Sequence, residues 1–273
     1  MIDMDHRVVA APSGREPSGM VIAREINRLF IAFGVDFRKT LSGFQGLPRF
    51  VSSLYRYRQF RDPTFPVRIS DLYPCLSDHQ DSASGGLGHY FYQDLWASRK
   101  IYQARPKQHM DIGSRVDGFV AHILTFMPIT LIDIRPLESF AEDLTFVHAD
   151  ATTLPMIADA SVESLSSLHA VEHFGLGRYG DPVDPTAPLK AMQTMARVIQ
   201  PGGRLYFSVP IGRQRLQFNG QRVFSPVVIL DHLRPLRLLS FAAVDDNGRF
   251  REAENPQDYA AAHYACGLYE FTK

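Results

Sequence analysis

Cysteine is scarce in this chain, and its scarcity excludes two kinds of structure. Only Cys75 and Cys266 occur among 273 residues, so no Cys-x-x-Cys pair is present to hold a metal. A secreted domain stapled by disulfide bonds needs a denser set of cysteines. We therefore expect a protein of a reducing compartment, and we predict a cytoplasmic one.

Net charge and long apolar runs are also lacking. The 29 basic residues are balanced by 29 acidic ones, which leaves no global attraction to the phosphates of nucleic acid. The stretch 20–35 is interrupted by Arg24, Glu25 and Arg28, and it falls short of the roughly 20 apolar residues that a membrane span requires. The first residues include aspartates where a secretory signal peptide is basic. We expect neither a nucleic-acid partner nor a membrane-spanning segment.

The N-terminal part of the sequence predicts a tail followed by a helical extension. Residues 1–19, rich in proline, serine, glycine and charge, predict a flexible tail. Helical spacing of apolar residues then covers Gly19–Phe33, Pro48–Phe60 and His89–Tyr102. In the second of these segments arginines interleave with aromatic residues, which suits a phosphorylated ligand or, more simply, a solvated basic face. The Ser/Gly-rich stretch 78–88 predicts a loop or mobile lid, and we assign 20–106 to this extension and lid.

From Lys107 to Lys273 short apolar runs alternate with helical segments, which is typical of a parallel sheet with crossover helices. The seven predicted strands are 108–112, Ile129–Ile134, Leu144–His148, Val162–Ser167, Gly203–Val209, Leu238–Val244 and Gly267–Thr272. The clearest helices are Phe119–Phe126 and Pro188–Ile199. No helical pattern separates the last two strands, so the seventh can insert antiparallel. The sequence predicts an α/β domain, 107–273, with a seven-stranded and mostly parallel sheet.

Polar residues follow the first strand, at the edge where an open α/β sheet binds ligands. The segment Asp111–Ser114 closes this strand, and Gly113 permits a ligand to approach the backbone closely. The carboxylate of Asp111 would attract a positively charged amino acid moiety. By itself the segment fits an ordinary strand-to-helix turn equally well.

Acids also close the next two predicted strands. Asp133, followed by Ile134, stands where an acid accepts hydrogen bonds from ribose hydroxyls, although it would also serve as a helix cap. Asp150 and Ala151 follow the third strand, where an acid commonly reaches the amino group of adenine. A Pro-Gly-Gly turn, Pro201–Gly203, precedes the fifth strand. Three acids at consecutive strand ends, together with this turn, predict a nucleotide-cofactor site.

Together with Leu165–His173 and Phe174–Pro182, these residues resemble class I S-adenosylmethionine-dependent methyltransferases over 107–273. The same segments are similar to an uncharacterised domain-of-unknown-function family of methyltransferase-like proteins that is associated with polysaccharide biosynthesis. The resemblance implies a Rossmann-like class I methyltransferase fold and S-adenosylmethionine as cofactor. We assign cofactor contacts to Asp111, Gly113, Ser114, Asp133, Ile134, Asp150, Ala151 and His169, and we expect Tyr90, Tyr92 and Gln93 of the extension to close over the cofactor.

One loop departs from the family pattern. The usual loop is Asp/Glu-x-Gly-x-Gly-x-Gly, whereas Arg115 and Asp117 stand at its second and third glycines and Gly118 follows them. A catalytically inactive relative that keeps the fold to bind a partner is therefore the alternative to an enzyme.

Methyl transfer to a hydroxyl needs an aligned acceptor and a base. His169, just after the fourth strand, is our candidate base because a neutral imidazole has a suitable pKa, and the alternative is a packed histidine. Candidate acceptor contacts are His173, Arg178, Tyr179, Asp181, Asn219 and Arg222. We expect O-methylation of a sugar, a glycan or another small polar hydroxyl compound. An alternative role for Asp181 and Asp184 is to hold Mg²⁺.

Two further sequence patterns were compared with other functions for the same region. The spacing His169-x-x-Glu172-His173 matches an inverted zinc-protease motif, which would make the protein a zinc hydrolase. The segment Gly113–Gly118 fails the G-x-G-x-x-G pattern of dinucleotide-binding dehydrogenases. The methyltransferase hypothesis therefore leads, with the zinc hydrolase third.

Overall fold

The computed structural model describes residues 26–27, 29–60, 67–76, 87–139, 141–218, 220–252 and 255–273. The predicted tail, most of the predicted lid and Asn219 lie outside the described residues. The chain divides into two compact units, Met1–Ala83 and Ser84–Lys273. We expected the domain boundary at 106, whereas the second unit begins at Ser84, so the helix that follows belongs with the sheet.

The described part of the first unit is mainly helical. It contains α1 (Phe37–Gln59) and a 3₁₀ turn at Ile69–Asp71. We expected a helix to begin at Pro48, but α1 begins earlier because Oδ1 of Asp36 accepts a hydrogen bond from the Lys39 N–H and caps its first turn. Neither α1 nor any other described helix is long and apolar enough to cross a membrane.

The second unit alternates strands and helices. Its strands are β1 (His109–Ile112), β2 (Ile129–Asp133), β3 (Leu144–His148), β4 (Val162–Leu168), β5 (Ile199–Ile211), β6 (Arg215–Gln217), β7 (Gln221–Val223), β8 (Arg237–Val244), β9 (Phe250–Glu252) and β10 (Ala265–Thr272). Its helices are α2 (His89–Ala104), α3 (Ala121–Leu124), α4 (Ala187–Val198) and α5 (Pro226–His232). Short turns of other helical types lie at Val116–Val120, Val171–His173 and Pro256–Tyr259.

The main sheet has the order β3-β2-β1-β4-β5-β10-β8-β9. Strands β3, β2, β1, β4 and β5 pair in parallel, and β10 inserts antiparallel between β5 and β8. This order, with an antiparallel last strand, is that of a Rossmann-like class I methyltransferase sheet. The predicted fold class is confirmed, and all seven predicted strands are present.

Three short elements were not predicted. They are the hairpin β6–β7, the helix α5 and the edge strand β9, which pairs antiparallel with β8. Strands of three residues are too short to show an alternating pattern, so sequence periodicity does not reveal them. The predicted helix Phe119–Phe126 is in fact a π-helical turn followed by the single turn of α3.

Apolar side chains cover both faces of the sheet because neighbouring residues of a strand point to opposite sides. In β5, Phe207 belongs to one buried cluster with Met192 of α4, and Tyr206 belongs to the other with Trp96 and Ile101 of α2. Helix α2 therefore forms a layer of the α/β unit. The chain leaves β3 and returns to β4 on the far side of β1, which opens a crevice at the carboxyl ends of these strands.

Candidate functional site

A cavity of about 270 Å³ lies at this crevice, in the second unit. Its volume is close to the lower end of the range for small-molecule sites, roughly 300–1,000 Å³. Of the predicted site residues, Gly113, Asp133, Ile134, Asp150, Ala151, His169, His173, Tyr179 and Asp181 line it. Most of the residues that were predicted from their position at strand ends thus line one cavity.

Gly113 forms the wall of the cavity after β1 with its backbone. Its φ of +70° lies in the left-handed region, and its N–H donates to the carbonyl of Ile132 at 2.9 Å. A Cβ at this position would lie 3.0 Å from the Cβ of Ala170. Glycine is therefore required here both by the turn and by the close approach of the segment that follows β4.

Asp111 does not line the cavity, which corrects our expectation of a direct ligand contact. It is fully buried, and its carboxylate accepts hydrogen bonds from the Ser114 N–H, the Ser114 hydroxyl and the Ser166 hydroxyl. Burial raises the pKa of Asp111 to about 6, although these hydrogen bonds oppose the shift. Ser114 is likewise buried, and its Oγ accepts from the Leu168 N–H. Asp111 and Ser114 therefore stabilise the loop through hydrogen bonds and do not line the cavity.

A buried polar chain connects this loop with the start of β1. Oγ of Ser166 donates to Asp111, so it can only accept from Nε2–H of His109, at 3.0 Å. Nδ1 of His109 then accepts from the hydroxyl of Ser164 at 2.8 Å. Burial lowers the pKa of His109 to about 3, in agreement with a neutral ring. The chain of hydrogen bonds ties β1 to β4 below the cavity.

Asp133 lines the cavity at the end of β2, where an arginine already contacts it. Its Oδ1 accepts from the N–H and Nε of Arg135, at 2.8 and 3.0 Å, and its Oδ2 from Nη2 at 2.6 Å. The guanidinium also lies 4.8 Å from the ring centroid of Tyr179. The Arg135 side chain is 48% exposed and that of Asp133 is 12% exposed, so a ligand that binds Asp133 has to displace a half-exposed guanidinium.

Asp150 and Ala151 supply the part of the wall beyond β3. Oδ1 of Asp150 accepts from the Thr152 N–H at 2.8 Å, and Oδ2 accepts no hydrogen bond that is found among the described residues. Ala151 is buried and Ile134 is half-buried, and both contribute apolar surface to the cavity. This arrangement suits a flat ring with one exocyclic donor.

His169 stands at the end of β4 in an unusual conformation. Its φ of +51° is in the left-handed region, which a histidine adopts at an energetic cost. Its Nδ1 lies 2.7 Å from Oε1 of the buried Glu172, and its buried Nε2 has no hydrogen-bond partner among the described residues. Burial is the largest single effect and opposes protonation, but the Glu172 carboxylate and Cys266 together outweigh it and raise the pKa of His169. A raised pKa favours the protonated ring, whereas we expected a neutral imidazole.

The zinc-hydrolase motif is not assembled. Val171–His173 forms a single 3₁₀ turn, so the two histidines do not share the face of an α-helix as the motif requires. His173 donates from Nδ1 to the carbonyl of Gly220 at 2.7 Å, and its Nε2 lies 3.8 Å from Glu172 Oε1. Glu172 is fully buried between the histidines, where it cannot act on a metal-bound water.

Two further predicted contacts lie away from the cavity, and a third is outside the described residues. Arg222 donates to the carbonyl of Phe174, and Arg178 donates to the carbonyl of Gly220, so both brace the segment after β4. Neither arginine lines the cavity. Asn219, the third, is outside the described residues.

The predicted magnesium site is not supported by the carboxylates that would form it. Asp184 accepts hydrogen bonds from Thr186 and pairs with Lys190 at 2.7 Å. Asp181 accepts from the N–H groups of Gly177 and Tyr179. Both acids therefore stabilise their own loop, and the described residues contain no group of three metal ligands there.

Of the three α2 residues that we expected to close over the cofactor, one lines the cavity. Tyr92 stacks on Phe250 with centroids 5.6 Å apart, and the buried Gln93 accepts from the Ser208 hydroxyl. Tyr90 lines the cavity instead, beside His169. Sequence periodicity locates the helix but does not fix which of its aromatic residues faces the sheet edge.

The unusual loop residues also have a structural place. Arg115 lines the cavity, pairs with Asp117 at 2.7 Å and lies 5.0 Å from the ring centroid of Tyr90. Gly118 makes room for the carboxylate of Asp94 in α2, which a Cβ at position 118 would strike. The loop is thus adapted to α2, and it presents a guanidinium where the family pattern has glycine.

A family model matches residues 151–243, about a third of the chain, with the description "Caenorhabditis protein of unknown function, DUF268". The matched segment contains His169, Glu172 and His173. No curated protein matches the chain. The family description names no reaction.

Solved methyltransferase structures are similar in fold. The 1,6-didemethyltoxoflavin-N1-methyltransferase of Burkholderia thailandensis is 18% identical, with 67% of this chain and 80% of that chain covered and a TM-score of 0.47. A putative sarcosine dimethylglycine methyltransferase of Galdieria sulphuraria is 15% identical, with 67% and 85% covered and a TM-score of 0.48. The N-methyltransferase NodS of Bradyrhizobium japonicum is 14% identical, with 71% and 89% covered and a TM-score of 0.45. These similarities concern the fold.

Proposed function

We propose that this cavity binds S-adenosylmethionine and that the protein methylates a hydroxyl of a sugar or another small polar compound. One observation carries the proposal. The left-handed Gly113 after β1, Asp133 after β2 and Asp150 after β3 line a single cavity at the carboxyl ends of neighbouring parallel strands.

The residues present fit the nucleoside part of this cofactor. The carboxylate of Asp133 would accept hydrogen bonds from the ribose hydroxyls in exchange for those of Arg135. Oδ2 of Asp150 would accept from the amino group of adenine, and Ile134 and Ala151 would pack on the ring. Each of these side chains already faces the cavity.

The amino acid part of the cofactor would lie along the loop after β1. The backbone of Gly113 allows close approach, and the guanidinium of Arg115 offers a charge-assisted hydrogen bond to a carboxylate. Asp111 acts here as a positioning residue, since its carboxylate holds the N–H and hydroxyl of Ser114. The loss of two family glycines is therefore compatible with binding.

When bound, the cofactor supplies a methyl group on a sulfonium, and the chain has to align the acceptor and remove its proton. His169 lines the cavity, its buried Nε2 has no hydrogen-bond partner among the described residues, and above the raised pKa, where the ring is neutral, Nε2 is the atom that would take this proton. Glu172 fixes the ring through Nδ1 and stabilises the imidazolium that forms. This is the carboxylate–histidine arrangement that general bases use.

The acceptor would enter beside the loop that follows β4. Tyr179, Asp181 and the Nε2 side of His173 line the same cavity and offer a ring face, a carboxylate and an imidazole nitrogen. Such a set suits a small compound with several hydroxyl groups. A sugar is the acceptor that the resemblance found in the sequence implies.

A second candidate is a binding protein of the same fold without methyl transfer. The observation in its favour is that Arg135 contacts both oxygens of Asp133, the residue needed for ribose. In that case no carboxylate oxygen of Asp133 would be available to accept hydrogen bonds from the ribose of the cofactor.

Calorimetry with S-adenosylhomocysteine tests the proposal directly. We expect saturable binding of one molecule per chain, and binding that is undetectable at millimolar concentration would refute the proposal. Binding without transfer of a labelled methyl group to any of a panel of sugars and sugar nucleotides would favour the second candidate.

A further inference from the structure

We propose that His89, His169 and Cys266 bind a zinc-class divalent metal ion at the edge of the cavity. This inference goes beyond the proposed function and does not depend on it. Each residue offers one ligand atom, and the three atoms lie within 4.8 Å of one another.

The three residues are distant in sequence and meet because of the sheet topology. His169 follows the carboxyl end of β4, and Cys266 is near the start of β10. Since β10 runs antiparallel beside β5, its start lies at the same edge of the sheet as the end of β4. His89 is the first residue of α2, and its ring centroid lies 5.4 Å from that of His169.

The orientation of His169 is the second observation that points to a ligand. Its side chain is 3% exposed, and Nε2 is buried without a hydrogen-bond partner among the described residues. Its other nitrogen, Nδ1, lies 2.7 Å from the carboxylate of Glu172. A carboxylate on one nitrogen and a metal on the other is the usual setting of a metal-bound histidine.

The donor types decide the class of metal. Two imidazoles and one thiolate suit Zn²⁺, whereas Mg²⁺ and Ca²⁺ prefer carboxylate and carbonyl oxygens. Zinc–nitrogen and zinc–sulfur distances of roughly 2.1 and 2.3 Å would bring the ligand atoms to about 3.5 Å, a contraction of about 1 Å. Cys266 Sγ makes long contacts of 3.9 and 4.0 Å, to Gln93 Oε1 and the Gly267 carbonyl, and it would bind the metal as a thiolate.

Three protein ligands would leave a fourth position of tetrahedral zinc for water or another ligand. A metal on Nε2 of His169 removes the base that methyl transfer to a hydroxyl requires. We therefore expect zinc and catalysis to exclude each other at this residue. Metal binding is measured without any substrate. Its result therefore does not depend on whether the protein is a methyltransferase.

Zinc stoichiometry of the full chain tests the site. After removal of metal with a chelator and dialysis against zinc, elemental analysis should find one zinc per chain. Cys266→Ser and His89→Gln should abolish this binding, and Cys75→Ser should retain it, since Cys75 is an exposed thiol of the other unit. Glu172→Gln should weaken zinc about 10- to 100-fold, as expected for the loss of the carboxylate behind a ligand.

Cobalt provides a spectroscopic check on the ligands. Co²⁺ in the wild-type chain should show a thiolate-to-metal absorption band in the near ultraviolet, which Cys266→Ser should remove. His89 is only half-buried, so His89→Gln keeps the test informative if Cys266→Ser fails to fold. Absence of stoichiometric zinc, or zinc retained in His89→Gln and lost in His173→Gln, would overturn the proposal.

Discussion

His169 and Glu172 form a buried ion-pair contact in which Nδ1 lies 2.7 Å from Oε1 and the side chains are 3% and 0% exposed. The left-handed backbone at His169 turns its ring back towards the short 3₁₀ turn that carries Glu172. The sequence placed these residues three apart, but only this turn brings them into contact. The contact fixes one ring nitrogen and leaves the other for chemistry.

The Glu172→Gln variant should lose turnover but keep cofactor binding. Without the carboxylate, the imidazolium formed during proton removal is less stable, and we expect kcat to fall about 10²-fold, at the low end of general-base contributions. Affinity for S-adenosylhomocysteine should not change, because Glu172 does not line the cavity. Steady-state kinetics and calorimetry separate these effects.

Glu163→Gln is the control for this variant, since Glu163 lies at the opposite end of β4 and accepts from the Lys107 N–H. It should keep full turnover. A parallel loss of cofactor affinity in Glu172→Gln would mean that Glu172 only supports the fold.

Gly113→Ala should weaken cofactor binding and stability together. The added Cβ would lie 3.0 Å from Ala170 Cβ, and the φ of +70° adds strain of about 1–2 kcal/mol. Gly248→Ala is the matched control, since Gly248 has a φ of +73° and open space around it. Denaturant unfolding should show a lower free energy of unfolding in both variants. Calorimetry should show weaker S-adenosylhomocysteine binding only in Gly113→Ala. Equal affinities of Gly113→Ala and Gly248→Ala for S-adenosylhomocysteine would mean that the cofactor does not bind against Gly113.

Asp133→Asn tests the ribose contact. Loss of a charged acceptor should reduce S-adenosylhomocysteine affinity about 10- to 100-fold, as expected for one hydrogen bond to a charged group. Asp231→Asn provides the comparison, because Asp231 forms a similar surface pair with Arg234 but does not line the cavity. Unchanged affinity in Asp133→Asn would support the binding protein without methyl transfer.

Asp111 should make stability depend on pH in a direction opposite to that of most carboxylates. Its pKa is raised from 3.8 to about 6 by burial, so the folded state holds the proton more tightly than the unfolded state. Stability from this group is therefore present at low pH and lost as pH rises from about 4 to about 6, by about 3 kcal/mol at ~1.4 kcal/mol per pH unit.

The Asp111→Asn variant isolates this contribution from that of His109, whose pKa is lowered to about 3 by burial and which therefore destabilises the fold as pH falls below 6.5. Relative to wild type, Asp111→Asn should gain stability between about pH 4 and pH 7. Urea unfolding at both pH values measures the difference, with the exposed Asp159→Asn as control. A pH-independent difference would contradict the buried, proton-binding state of Asp111.

Much of the fold was readable in the sequence because it rests on local patterns. The alternation at β2, β3 and β8 predicted these strands to within a residue or so. The strand-end acids Asp133 and Asp150 were found because parallel strands all end at one edge of the sheet. Helix α2 was predicted as a helix, but nothing in its sequence indicates that it packs on this sheet.

What the sequence alone determined was the order of the elements and the polar residues at their carboxyl ends, since both follow from period and position along the chain. The tertiary structure decided which side chains face the cavity. It buried Asp111 beneath Gly113, set Glu172 against His169 and brought Cys266 of the antiparallel β10 to the same edge. These outcomes depend on backbone turns and packing between distant segments, which no local pattern of residues records.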